Sequence, residues 1–299
     1  IAFLILFPTM FLGSVRAQFQ TPYLSNQIVL QEADTNTLQL SVYMNNYLKN
    51  NEYFSPMFFG YTLFGTMMRT GLAYTPSKFM RIEGGVFMQN EMGTDQLSVA
   101  RPFFSVKLQK KIHSVIFGNL EGASNHNLID PLFDQERSMT HPFENGLQYK
   151  TNGKWLVTDS WIDWVKQENE KLNIQEEINA GVNLQFYLLK KENIKLSIPI
   201  QGIVWHLGGQ LNQNLYPVES IGNGAAGIRL EKTWQENSFL QKFTLESFAL
   251  NYIHSAQKEY ELRRYPNGNG YYTNASLETK PGFFVAAGYF FGHHYITET

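Results

Sequence analysis

The sequence predicts an all-β protein, a transmembrane antiparallel β-barrel of about 14 strands. Three observations carry that expectation. Apolar and polar residues alternate at period two along most of the chain, the alternating runs often reach ten residues or more, and the connections between them alternate short and long. Composition agrees. Of 299 residues, 43% are hydrophobic and 15% aromatic but only 17% charged, below the quarter usual in soluble domains. A balance of 24 Lys and Arg against 26 Asp and Glu leaves a net charge of −2, which provides no basic field and argues against nucleic acid as a partner. Zero cysteines exclude a disulfide scaffold, a thiolate metal site, an iron–sulfur cluster, a cysteine nucleophile and a lipidated N-terminal cysteine.

At the start, Ile1 to Gly13 is apolar but too short to cross a bilayer as a helix. Val15 and Ala17 fit the small-residue rule for signal cleavage, so residues 1–17 read as a signal peptide. The first residue is Ile and the basic n-region is missing, so the peptide reads as N-terminally incomplete. The alternative is a buried N-terminal core segment. A periplasmic segment over 18–36 and a barrel over 37–299 complete the expected domains.

Alternation is clearest at 178–188, where Ile178, Ala180, Val182, Leu184, Phe186 and Leu188 share one face and Asn179, Gly181, Asn183 and Gln185 the other. Leu38, Leu40, Val42 and Met44 do the same against Gln39, Ser41 and Tyr43. Strands are expected near 37–45, 58–73, 79–90, 97–109, 112–120, 145–150, 154–166, 176–190, 194–206, 224–232, 239–252, 271–279 and 283–292. Tight turns fall at 75–78, 109–111, 151–153, 191–193, 234–238 and 280–282. Between them lie 46–57, 91–96, 121–144, 167–175, 207–223 and 253–270, mostly longer. Tight periplasmic turns and extended external loops produce that sorting in an outer-membrane barrel, and a soluble sandwich has no reason to show it. Thirteen strands is odd where an even number is usual, so a closing strand is expected beyond the C-terminal end. A miscount at 37–45 or 271–279 is the alternative. Pro102 and Pro199 are expected at bulges or strand starts. Gly222-Asn223-Gly224 and Asn267-Gly268-Asn269-Gly270 read as turns in external loops.

On these grounds the chain resembles the porin-like outer-membrane β-barrel proteins of Gram-negative bacteria, in an Asn-, Tyr- and Lys-rich style like that of Bacteroidetes members. The resemblance covers roughly 37–295 and is architectural, so it carries over no functional residue. It implies an outer-membrane location, outer-membrane lipid and lipopolysaccharide as surroundings, and a channel passing small polar solutes, sugars or anions among them. No chemical step, cofactor or metal is expected. A second class is a plugged structural or assembly barrel, a subunit of a surface or secretion complex, with an oligomer or protein partner. A third is a hydrolase at the rim using His126 and His141.

Charged strand residues must face the lumen, because lipid at mid-depth costs a charge about 2–4 kcal/mol. Parity places Arg81, Glu83, Arg101, Lys107, Lys195, Arg229, Lys242 and Glu246 inward as pore-lining residues. Asp159, Trp161 and Asp163 share one face of 154–166, where an indole between two carboxylates suits a sugar; pairing of the two acids with lumenal Arg or Lys is the plainer reading. Trp155, Tyr187, Trp205, Tyr252, Tyr271, Tyr272 and Tyr289 fit interfacial aromatic girdles. The long connection 121–144 supplies His126, Asp130, Asp134, Glu136 and Arg137 as candidates, and its apolar Leu128, Ile129, Leu132 and Phe133 imply that it packs on something. It either folds inward as a constriction or caps the rim. His126, Asp130 and Asp134 are spaced as metal ligands on a helix, but Pro131 disfavours one there. No Ser elbow, phosphate loop or dinucleotide fingerprint is present.

Overall fold

The computed structural model describes residues 30–52, 60–121, 126–133, 136–169, 171, 174–208, 218–256 and 265–297. The expected signal peptide, and Asp134, lie outside the described residues. Thirteen strands follow in chain order: β1 (Thr37–Asn51), β2 (Tyr61–Ser77), β3 (Met80–Glu91), β4 (Val99–Lys110), β5 (His113–Asn119), β6 (Asn145–Asn152), β7 (Leu156–Lys166), β8 (Glu176–Lys190), β9 (Ile194–Gly208), β10 (Glu219–Thr233), β11 (Leu240–Ala256), β12 (Asn267–Thr279) and β13 (Phe284–His293). Each pairs antiparallel with the next, giving one 13-stranded meander. No helix among the described residues is long and apolar enough to cross a membrane.

Two faces follow from the pleat. On β1, Leu38, Leu40, Val42, Met44 and Leu48 are all more than half exposed, while Tyr47 is buried. Across β9 and β10, Val204 and Ile228 are exposed while Ile203, Gln201, Ile221 and Asn223 are buried. The apolar residues therefore point out and the mixed ones point in, which is the arrangement of a barrel wall in lipid. The sheet curls around the connection between β5 and β6. Within it, a short helix α1 (Arg137–Thr140) and a 3-10 turn (Asp130–Leu132) touch walls as far apart as β1 and β12.

All short turns lie at one end of the barrel and all longer connections at the other, as the sequence predicts. Strand limits differ at β1, which runs past 45 to Asn51, and at β10, which begins at Glu219 and not near 224. Gly222 and Gly224 are outward strand positions where a Cβ would make only ordinary contacts, at 3.9 and 3.8 Å, and are not turn residues. Asn267 to Gly270 likewise open β12; a Cβ on Gly268 would sit 2.1 Å from the His294 carbonyl oxygen, so glycine there permits close strand approach. Pro102 sits near the start of β4. Pro199 lies mid-strand in β9, where it and Ile198 have no β10 partner and the ladder resumes in the same register at Ser197, as the missing N–H allows.

Candidate functional site

The long connection enters the lumen. Leu128, Ile129, Leu132 and Phe133 form one apolar core with the inward residues Trp161, Ile203, Ala225, Phe248, Leu250 and Tyr272. Of the two arrangements expected for it, the inward one is observed. Leaving the wall after Asn119, the segment crosses to β8 and β9, where Asn183 Nδ2 donates to the His126 carbonyl (2.9 Å) and Ile129 N to Gln201 Oε1 (2.9 Å). It then meets β12, where the Tyr272 hydroxyl donates to Asp130 (3.4 Å). It returns at the long-connection end, where Glu136 accepts from Lys49 (2.5 Å), Asn51 (2.6 Å) and the Tyr61 hydroxyl. Burial alone would raise the Glu136 carboxyl, but these donors hold it below the ordinary carboxylate value.

At the centre of this insertion His126 has a side chain with no exposed surface. Its Nε2–H donates to Glu144 (2.7 Å) and its Nδ1–H to Asp159 (3.0 Å), and the ring lies flat on Trp161 with centroids 3.6 Å apart. Burial opposes the charged ring, yet the Glu144 and Asp159 carboxylates outweigh it and raise the imidazole to about 9. Gln148 completes the cluster, donating to Asp159 Oδ1 (2.7 Å) and the Glu121 carbonyl (2.8 Å). His126 and Asn127 both have positive φ, 45° and 56°. Such backbone is uncommon outside glycine and persists here because the ring and both carbonyls are held by three strands.

These contacts decide several expectations. Trp161 cannot receive a sugar on the face that His126 covers. Asp159 is satisfied by His126, not by a lumenal Lys or Arg, and Asp163 accepts the Asn145 N–H (2.6 Å). His126 and Asp130 go to different walls, so they share no helical face, and no cluster suited to a metal occurs among the described residues. Arg81, Glu83, Arg101, Lys107, Lys195, Arg229, Lys242 and Glu246 all occupy inward positions. Most are ion-paired: Lys107 with Glu121 (2.8 Å), Arg229 with Glu246 (2.7 Å), Glu83 with Arg69 (3.4 Å), Lys242 with Glu278 (3.7 Å) and Lys195 with Glu231 (3.9 Å). Arg81 donates to Gln39 (2.8 Å). Of the girdle candidates, Trp155, Tyr271 and Tyr289 are exposed. The girdle expectation does not hold for Tyr187, Trp205, Tyr252 and Tyr272, which occupy inward positions.

The lipid-facing wall carries an arrangement that the sequence analysis missed. His206 near the end of β9 and Ser220 at the start of β10 are direct cross-strand partners, and His206 Nδ1 lies 2.8 Å from Ser220 Oγ. Parity with exposed Val204 and Ile228 places both on the outward face, at the long-connection end of the barrel. Ile178 flanks His206 on β8, paired in turn with Trp164, an exposed indole whose N–H donates to Glu176 (3.0 Å). Gly208 leaves room for the imidazole, since a Cβ there would lie 2.9 Å from Nε2. A hydroxyl and an imidazole at this distance are the minimum of an activated serine.

A family model described as Lipid A 3'-O-deacylase-type matches residues 30–299. That description names an enzyme and overturns the expectation of a barrel without chemistry. Among curated proteins no sequence matches. Similar solved structures include the in-vitro folded, trimeric OmpT of Vibrio cholerae, with 10% identity, a TM-score of 0.41 and coverage of 87% of this chain and 90% of that one. OpdL of Pseudomonas aeruginosa has 9% identity, a TM-score of 0.37 and coverage of 86% and 94%. OprD of the same organism has 7% identity, a TM-score of 0.29 and coverage of 86% and 87%. The barrel stands on its strand register and two sorted faces, not on these distant likenesses.

Proposed function

Because the chain belongs to the Lipid A 3'-O-deacylase-type family, we propose that it hydrolyses an acyl ester of a lipid A-like glycolipid, using Ser220 and His206. It is an outer-membrane β-barrel protein, and its long connections mark the external end. The observation that carries the proposal is the 2.8 Å His206–Ser220 contact on the lipid-facing wall at that end. An ester at the boundary between acyl chains and headgroup would lie beside it.

In the tautomer with Nε2–H, His206 Nδ1 accepts the Ser220 proton as Oγ forms a bond to the ester carbonyl carbon. The bond to the sugar oxygen then breaks, and that oxygen departs with the proton from His206. Water, deprotonated by His206, releases the fatty acid from Ser220 and restores the hydroxyl. Both side chains sit on paired strands, which hold such a contact more tightly than a loop would.

The test is fatty-acid release from purified lipid A by the refolded full chain, followed by mass spectrometry. Ser220→Ala and His206→Gln should each lower turnover by about a thousandfold or more while the barrel stays heat-modifiable. Loss of activity in His141→Ala with Ser220→Ala unaffected would move the base to the lumenal side of the same mouth. No release by the native chain would end the hydrolase reading.

A channel remains a second reading, supported by a cavity of about 490 Å³ bounded by Arg229, Lys242, Glu246 and Phe290 beside the inserted segment. The apolar core that the segment builds across the lumen weighs against it. Ohmic steps in a planar bilayer would favour the channel; a silent, folded barrel would remove it.

A further inference from the structure

Resting on the hydrolase reading, we propose a phosphate-binding site on the lumenal side of the long-connection mouth of the barrel, formed by Arg101, Arg137 and Lys166 with His141 at its edge, which takes a phosphomonoester of the glycolipid headgroup. The cationic groups deeper in the lumen have acidic partners: Arg69, Lys107 and Arg229 each have a carboxylate within 3.4 Å. At the mouth the pattern breaks. Arg137 is only 5% exposed, yet its guanidinium lies over the Trp205 ring, 4.6 Å from the centroid, and its Nε has no hydrogen-bond partner. Arg101 lies over Phe143 at 4.2 Å. Among the described residues neither arginine has an ion pair.

The neighbouring carboxylates are otherwise engaged. Glu136, adjacent to Arg137, is held by Lys49, Asn51 and Tyr61. Asp163 senses both arginines but accepts the Asn145 N–H. Glu177 pairs with Lys166 at 2.5 Å, and that lysine is 60% exposed. Arg137, Lys166, Arg101 and Glu177 all act on His141, which places the three cations around one point. A buried guanidinium without an ion pair is unfavourable without an anion. A guanidinium laid on an aromatic ring keeps its N–H edge free for the two-pronged contact that phosphate accepts. Trp205 beneath Arg137 and His206 are consecutive on β9, one facing in and one out, and the strand ends two residues later at Gly208. A headgroup lying over that rim would reach the arginine while its acyl ester reached Ser220.

The experiment measures binding to the full chain in detergent, with Ser220→Ala as a non-turning-over background. Three probes are compared: lipid A with its phosphates, the same lipid A after phosphatase treatment, and inorganic phosphate. The expected result is at least about a tenfold preference for phosphorylated over dephosphorylated lipid A. Arg137→Gln and Arg101→Gln should each remove most of that preference without weakening the dephosphorylated ligand. In the active background Arg101→Gln should raise KM for phosphorylated lipid A and leave kcat near native, and Arg137→Lys should keep part of the affinity that Arg137→Gln loses. Equal affinity for both lipids, or equal loss of both in the arginine variants, overturns the site. Saturable inorganic phosphate binding without any lipid preference overturns the headgroup assignment in favour of free phosphate. Should Ser220→Ala retain hydrolysis while the preference persists, the dyad fails and the phosphate site stands.

Discussion

His126→Ala should destabilise the folded barrel by about 3 kcal/mol at pH 7. The imidazolium has no exposed surface and bridges Glu144 at 2.7 Å and Asp159 at 3.0 Å. A rise from 6.5 to about 9 in the folded state, at about 1.4 kcal/mol per pH unit, corresponds to about 3 kcal/mol of charge-linked stability. Removing one member of a buried ion pair costs about 3–5 kcal/mol by a separate route, because the remaining charges are stranded. The folded value lies above the unfolded one. The stabilisation is therefore complete below about 6.5 and is lost as pH rises through about 9. Urea unfolding from detergent micelles, followed by tryptophan emission, measures both effects, since Trp161 stacks on the ring at 3.6 Å. Native protein should lose stability between about pH 7 and pH 10, and the variant should show no such slope. A variant within about 0.5 kcal/mol of native, or a flat native profile, would refute the charged clamp.

Other perturbations test the neighbouring parts of the same assembly. Gly181→Ala places a Cβ 2.3 Å from Trp161 Cζ2 and 2.8 Å from the Gly202 carbonyl, so it should lift the indole from His126 and cost about 1–3 kcal/mol in the same unfolding assay. Glu136→Gln should cost about 1–2 kcal/mol and loosen the return of the inserted segment to β1 and β2, read as faster proteolysis within 126–140. Because Glu136 is held below its ordinary value, its contribution is present above the unfolded carboxyl range and disappears as pH falls through the lower folded value. That acid-side loss should be absent in the Gln variant.

The wall was legible because period two leaves no ambiguity when one face meets lipid: a one-residue slip on Leu38 to Met44 would turn every apolar side chain inward. Its errors have local causes. Glycines at 222 and 224 suggest a turn, which starts β10 five residues late and puts Ser220 in a loop, away from β9. Given the observed start, the register alone sets Ser220 opposite His206. Tyr252 and Tyr272 were assigned to a girdle from their positions near strand ends, but their parity puts them inside. The inserted segment showed by its apolar residues that it packs, yet His126 meets carboxylates 18 and 33 residues away, a long-range convergence that no spacing along the chain reveals. The family match spans nearly the whole chain as a pattern, with no short motif from which an activity could be read.

A filled lumen and a reactive pair on the outer wall are mechanically related. The apolar core behind β9 includes Ile203, and Arg137 presses on Trp205 from inside, one residue before His206. Strand backbone transmits that support directly, since Trp205 and His206 share a peptide and the ladder to β10 is unbroken from Leu207 to Ile200. An empty lumen would leave the same strands backed by water, free to change side-chain packing with each fluctuation of the wall. On the hydrolase reading, the His126 cluster is a positioning device: it pins the segment that carries Arg137, which in turn backs the strand that carries His206. Loosening the clamp should then reduce turnover through the Ser220–His206 distance even where the barrel remains folded. If the two sites were independent, His126→Ala at a temperature well below its unfolding transition would hydrolyse at the native rate.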